Sequence, residues 1–233
     1  DLGLLSDRMN VIHAIWVDDA DIDLLAASGA TVAHNPNSNL RLGSGIMRWR
    51  DMQDRGIPLC IGVDEAIADD AIHMWSVLKT ASVIHHLSDW DYTRWPQATE
   101  VIHAATAGGG QAMREPGLGT LDIGAHADLI MVDLTALPFV PLNNLPRQLV
   151  HCEFGQSVLM TLVAGNIVAE RGHISMIDEA AILAEASAFF AGKKQAMDMA
   201  DKQVEKYLPH YREMYRRAGA RSLPLERRLP NPA

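Results

Sequence analysis

The sequence lacks most of the features that settle a protein's class at a glance. It has only two cysteines, Cys60 and Cys152, in 233 residues, so no disulfide framework holds it and a reducing compartment suffices. No apolar run reaches the ~18 residues a membrane-spanning helix needs. Positive charge is in deficit: 20 Lys and Arg against 29 Asp and Glu leave a formal net charge of −9. Such a chain is a poor match for nucleic acid or an anionic membrane surface. The 17 Gly and 11 Pro follow no fixed period, which excludes collagen-like and low-complexity readings. The opening residues carry no basic stretch ahead of a long apolar core, so the expectation is no secretory signal and a cytoplasmic protein.

What is present is an ordinary globular composition, 48% hydrophobic and 21% charged, with enough length for a sizeable core. The chain is nevertheless short for a complete eight-stranded α/β barrel of about 250 residues. It has no initiator Met and opens as if in mid-element. The charge is uneven: from Lys193 to Ala233 there are ten Lys and Arg and five Asp and Glu, so the rest is strongly acidic. That basic stretch lies on a helical pattern and reads as a solvated or packing face.

Residues 10–17 read as a strand, 20–28 as a helix capped by Asp18 or Asp19 and stopped by Gly29, and 30–34 as a second strand. A polar loop is expected over 35–39, a helix over 45–55 and a third strand over 57–63. That third run is almost continuously apolar, as in a parallel strand covered on both faces. After a polar loop at 64–70 comes a long helix to about His86. Strand alternating with helix is the grammar of βα units on a parallel sheet. Beyond Gly110 the pattern changes to short strand-like pieces at 117–124, a strand at 128–133, and a hairpin over 156–169 with Gly165-Asn166 as its turn. Helix returns from Asp178, with Pro209 as a break.

Active sites of parallel α/β folds sit at the C-terminal ends of the strands. His13, then His34 with Asn35 and Asn39, then Asp64 with Glu65 fall at those ends in three successive units. Each alone reads more readily as a core histidine or a helix cap; together, on one face, they mark a candidate site.

These residues also carry a resemblance. His13-Ala-Ile-Trp, then Val-Ala-His34-Asn-Pro-Asn-Ser-Asn39-Leu-Arg-Leu-Gly-Ser-Gly45, then Ile61-Gly-Val-Asp64 occur in the order found in the amidohydrolase superfamily. The branch is that of cytosine/guanine deaminase-like enzymes and chlorohydrolases. Gly117-Leu-Gly-Thr-Leu-Asp-Ile-Gly-Ala-His-Ala-Asp128 and Val163-Ala-Gly-Asn-Ile-Val are similar to that branch's return into its β-sandwich. The resemblance covers about residues 5–175.

It implies an α/β fold: the C-terminal part of a metal-dependent (β/α)8 TIM barrel, strands six to eight, plus a small β-sandwich and C-terminal helices. The corresponding divisions are 1–115, 116–176 and 177–233. It further implies a hydrolase of a non-peptide C–N bond, deaminating a nucleobase, pterin or triazine type of heterocycle, with a divalent metal, zinc or alternatively iron. Asp64 would be a metal ligand and catalytic, and His13 catalytic. His34, Asn35, Asn39 and Ser38 would shape the pocket and brace Asp64. Glu65 could meet a cationic substituent, and Trp16 could stack on the heterocycle.

The chain also departs from that branch. None of its ten His forms a His-x-His pair, and of the branch's metal ligands only Asp64 has a counterpart, whereas a catalytic zinc takes about three protein ligands. The expectation is therefore an incomplete active site whose other strands come from a longer chain or a separate one, in an oligomer expected to be a homodimer. Two alternatives stay open: a non-catalytic or degenerate fragment serving as an assembly module, and an unrelated α/β enzyme using Asp64 and Glu65 as an acid–base pair.

Overall fold

The computed structural model describes residues 2–221 and Leu225. They fall into two compact units, one running up to Gly172 and the other starting at His173.

The first unit opens with β1 (Asn10–Ile12), β2 (Thr31–His34) and β3 (Leu59–Ile61), which pair in parallel in the order β1-β2-β3. The expected strands are thus present and parallel, but trimmed to three or four residues each. The first is cut short because His13 and Ala14 take left-handed backbone, φ 67° and 43°, which ends the extended run.

Between β1 and β2 lies α1 (Asp19–Ser28). A reciprocal capping pair starts it: the Asp21 N–H donates to Asp18 Oδ1 (2.9 Å) and the Asp18 N–H to Asp21 Oδ2 (3.1 Å). These carboxylates also favour the positive end of the helix. Gly29 closes it in the left-handed conformation, φ 71°. Ile22 and Leu25 turn inward onto a core of Val32, Trp49, Met52, Leu59, Ile61, Val77 and Val101.

Two segments expected as loops are short helices. Residues 36–41 form α2 (Pro36–Arg41), and 66–69 form α4 (Ala66–Asp69). In α2 the polar run conceals a favourable start, since Pro36 supplies a ready-made helical φ where its missing N–H costs nothing. Between them α3 (Trp49–Asp54) is shorter than the 45–55 expected. The long helix divides into α5 (Met74–Val83) and a 3-10 turn, Ile84–Leu87. Asn37 ties three of these elements together, its Nδ2 donating to Asp69 Oδ2 (3.0 Å) and Ser76 Oγ (3.1 Å).

α6 (Ala98–Ala105) and α7 (Ala107–Met113) follow. α7 lies so close to β3 that a Cβ on Gly108 would fall 2.2 Å from the Leu59 carbonyl oxygen. The strand-like pieces expected at 117–124 are turns instead. Gly117, Gly119 and Gly124 all have positive φ, and Gly119 approaches the Thr106 carbonyl where a side chain would not fit.

β4 (Leu129–Val132), α8 (Leu145–His151), β5 (Val158–Val163) and β6 (Asn166–Glu170) complete this unit. β4, β5 and β6 pair antiparallel. The hairpin turn is Ala164-Gly165, one residue earlier than expected, because Val163 pairs with Asn166. Both turn residues have positive φ, 49° and 78°, the backbone that a two-residue hairpin turn requires.

The second unit contains α9 (Glu179–Glu205) and α10 (Leu208–Gly219). Asp178 caps α9 by accepting from the Ala181 N–H (3.0 Å), and Pro209 sits in the first turn of α10. No helix among the described residues is long and apolar enough to cross a membrane.

Candidate functional site

The site grows from the C-terminal ends of the parallel strands. After β1 the His13 N–H still donates to the Ala33 carbonyl (2.9 Å), and after β3 the Gly62 N–H donates to the His34 carbonyl (3.0 Å). The ladder thus holds the chain until just before each polar side chain. Both His13 and Asp64 then take left-handed backbone, φ 67° and 65°. Non-glycine residues seldom adopt it, at a cost of about 1–3 kcal/mol each. The two side chains, from outer strands of the sheet, meet with His13 Nε2 3.7 Å from Asp64 Oδ2.

Asn39, buried on α2, fixes the ring. His13 Nδ1 lies 2.7 Å from Asn39 Oδ1, and with that oxygen as acceptor the Nδ1–H donates. Nε2 is then the nitrogen left facing Asp64. Asn35 and Ser38 are buried on the same short segment. The Asp64 carboxyl is held below the usual carboxylate range, first by the Ser38 hydroxyl. Burial opposes this; the Glu65 N–H, the charge of His13 and the Asn35 amide reinforce it. The Ser38 hydroxyl faces the carboxylate without reaching full hydrogen-bond geometry, whereas the Glu65 N–H donates to Asp64 Oδ1 at 2.9 Å. Gly62 makes room for Asn35: a Cβ there would lie 2.7 Å from Asn35 Oδ1.

The structure therefore brings His13, Asn35, Ser38, Asn39 and Asp64 to one mouth. His34 lies beneath it, only 1% exposed, with its Nε2 3.2 Å from His85 Nε2 and its ring edge-on to Trp49. One of these nitrogens donates and the other accepts, and burial keeps both rings neutral near pH 7. Burial, His85 and His13 push the His34 pKa well down; burial, His86 and Arg50 push that of His85 to about 3. Trp16 is partly exposed, its Nε1–H donating to the Ser44 carbonyl (2.9 Å), and Glu65 is exposed at the start of α4. His85 was not among the sequence candidates for this site. It lies 51 residues from His34, and no spacing rule links the two.

A divalent metal is implied by the resemblance, so the donor set matters. His13 Nε2 and Asp64 Oδ2 converge, but among the described residues no group of three His, Cys, Asp or Glu could hold an ion. A catalytic zinc takes about three protein ligands and one open position. The residues of this chain alone do not fit a metal centre.

Known proteins match this chain in sequence and in fold. The model of the Amidohydrolase family matches residues 1–168. The 5-methylthioadenosine/S-adenosylhomocysteine deaminase of Nitratidesulfovibrio vulgaris (strain DSM 19637 / Miyazaki F) is 39% identical over 184 residues, covering 79% of this chain and 42% of that protein. The 5'-deoxyadenosine deaminase of Methanosarcina mazei is 32% identical over 186 residues, covering 80% and 43%. Among solved structures, an adenosine deaminase from Xanthomonas campestris with bound zinc superposes with a TM-score of 0.79 at 30% identity, covering 83% of this chain and 44% of that one. The chain spans about two fifths of the length of the curated relatives it matches.

Proposed function

The chain belongs to the amidohydrolase family, and from that premise we propose that it supplies part of the active site of a hydrolase that deaminates an aminated heterocycle. The observation that carries the reading is the approach of His13 to Asp64 at the ends of parallel strands, with Asn39 setting which ring nitrogen faces the mouth. The deaminase relatives and the zinc-bound neighbour support the reaction class and a divalent metal, zinc first. They favour a nucleoside among the heterocycles considered.

In this reading residues 1–115 provide the sixth to eighth strands of a barrel, 116–176 part of a β-sandwich and 177–233 a helical extension, of which 222–224 and 226–233 lie outside the described residues. Asp64 would contribute one metal ligand, and the others would come from strands outside this sequence. The short span relative to the relatives supports that division of labour.

The reaction joins the oxygen of water to the carbon that bears the amino group, breaks the C–N bond and releases ammonia. The Nε2 lone pair of His13 takes a proton from the water and returns it to the departing nitrogen. Asp64, held ionised by its neighbours, stabilises the imidazolium that forms between those steps. Asn39 keeps the ring in the required tautomer, and Asn35 and Ser38 hold the carboxylate. Trp16 and Glu65 edge the pocket, where an aromatic face and a carboxylate would meet the heterocycle and a cationic substituent.

The test supplies the remaining barrel strands, in one polypeptide or as a second chain, adds zinc and follows ammonia release. The panel contains adenosine, 5'-deoxyadenosine, S-adenosylhomocysteine, aminopterins and aminotriazines. Release from at least one substrate is expected, falling roughly 10²–10⁴-fold in His13→Ala and Asp64→Asn. A metal-loaded, folded assembly inert on the whole panel would overturn the reading.

A further inference from the structure

Away from that mouth, the end of α5, residues 92–98 and α8 enclose a cavity of about 500 Å³. Its lining includes His86, Tyr92, Trp95, Gln97, Arg147 and His151, and none of the mouth residues. No carboxylate is among its lining residues.

Arg41, Arg48, Arg50, Arg55 and Arg94 each hold a carboxylate, as an excess of acidic residues makes easy. Arg147 uses only its backbone N–H, which donates to Asn144 Oδ1, and no ion pair is formed by its guanidinium among the described residues. His151 stands between like charges. Burial lowers its pKa first, and then Lys79 on α5, Arg147 on its own helix and His86 on the turn after α5 lower it further. Burial lowers that of His86 too. Arg147 and two imidazoles thus line the same open space, with no carboxylate among the lining residues.

The remaining walls are specific. Trp95 stacks on His86 at 3.8 Å between centroids, and Tyr92 stands edge-on to Trp95 at 6.5 Å. Gln97 and Ala98 place the start of the eight-residue α6 at the cavity, where the Gln97 N–H donates to the Glu100 carboxylate (2.7 Å).

We propose that this cavity binds a small organic oxyanion, whose phosphate, sulfonate or carboxylate group is held by Arg147, His86 and His151 and whose planar part lies against Tyr92. The site is independent of the deaminase reading. An anion there raises the proton affinity of both imidazoles, so binding and protonation are coupled.

Calorimetric titration of the full 233-residue chain, in whatever assembly it forms, tests this with sulfate and benzenesulfonate at constant ionic strength. Neither anion titrates across the range used, so a pH effect belongs to the protein. Both are expected to bind and to compete, benzenesulfonate more tightly, and affinity should fall roughly tenfold between about pH 5.5 and about pH 7.5. Arg147→Ala should weaken sulfate roughly tenfold or more. His151→Gln should flatten the pH dependence, which decides the matter even if the Arg147 variant fails to fold. The proposal is overturned if wild-type chain binds neither anion, if folded Arg147→Ala binds sulfate as wild type does, or if affinity is the same at both pH values.

Discussion

At the scale of single residues, the buried His34–His85 pair makes stability depend on pH in a defined direction. Both pKa values lie below the unfolded value of about 6.5, that of His85 at about 3. The unfolded chain therefore binds protons that the folded chain refuses. The contribution is complete above about pH 6.5 and is lost as pH falls toward 3. From pH 7 to about pH 4.5, His85 alone should remove ~2–3 kcal/mol, and His34 acts in the same direction. Urea midpoints at the two pH values measure this. His85→Gln should shrink the difference between them, and an unchanged difference would assign it elsewhere. Asp64 works at lower pH: its lowered pKa adds stability above the ordinary carboxylate range, lost on further acidification. None of this was visible in the sequence, where His85 and His86 look alike at the end of an apolar helix. The fold turns one onto His34 and the other onto Trp95.

At the scale of elements, close approach decides what each glycine tolerates. Gly108 and Gly109 are neighbours in α7, yet a Cβ on the first would lie 2.2 Å from the Leu59 carbonyl oxygen, while one on the second would meet nothing within 4 Å. Gly108→Ala must push the helix off β3 and should cost about 1–3 kcal/mol. Gly109→Ala should gain about 0.5–1 kcal/mol, because alanine gives up less entropy in a helix. Opposite shifts in thermal midpoint are the expected result, and equal shifts would contradict the packing of α7 on β3. Which elements could be read beforehand follows the same physics. The parallel strands were legible because covered strands need continuous apolar runs, and α1 because its cap and stop are local. α2 was not, since Asn, Pro and Ser begin helices as readily as they form loops. The hairpin turn was misplaced by one residue because Gly165 fits either position of the turn and only the pairing of Val163 with Asn166 fixes the register.

At the scale of the whole molecule, the proposed function implies a candidate site divided between this chain and further strands. His13, Asn39 and Asp64 were readable as site candidates because strand ends gather polar residues; their mutual geometry came only from the fold. Among the described residues β1 and β3 each pair on one side only, and Leu2, Ile12, Leu40 and Leu42 are exposed. Unpaired strand edges beside apolar surface recruit further strands. The isolated chain should therefore self-associate, seen by light scattering on a sizing column as mass above 25.5 kDa, and a complementary barrel segment should suppress this. A stable soluble monomer would contradict that expectation.

The one-sided pairing of β1 and β3 also bears on how such a polypeptide must be produced. A backbone ladder reads strand direction and length but not identity, so on the proposed reading a sister copy and a complementary barrel segment would compete for the same flank. Stoichiometry during synthesis, more than binding strength afterwards, then decides between a working assembly and a precipitate, and co-expression should succeed where mixing purified parts fails.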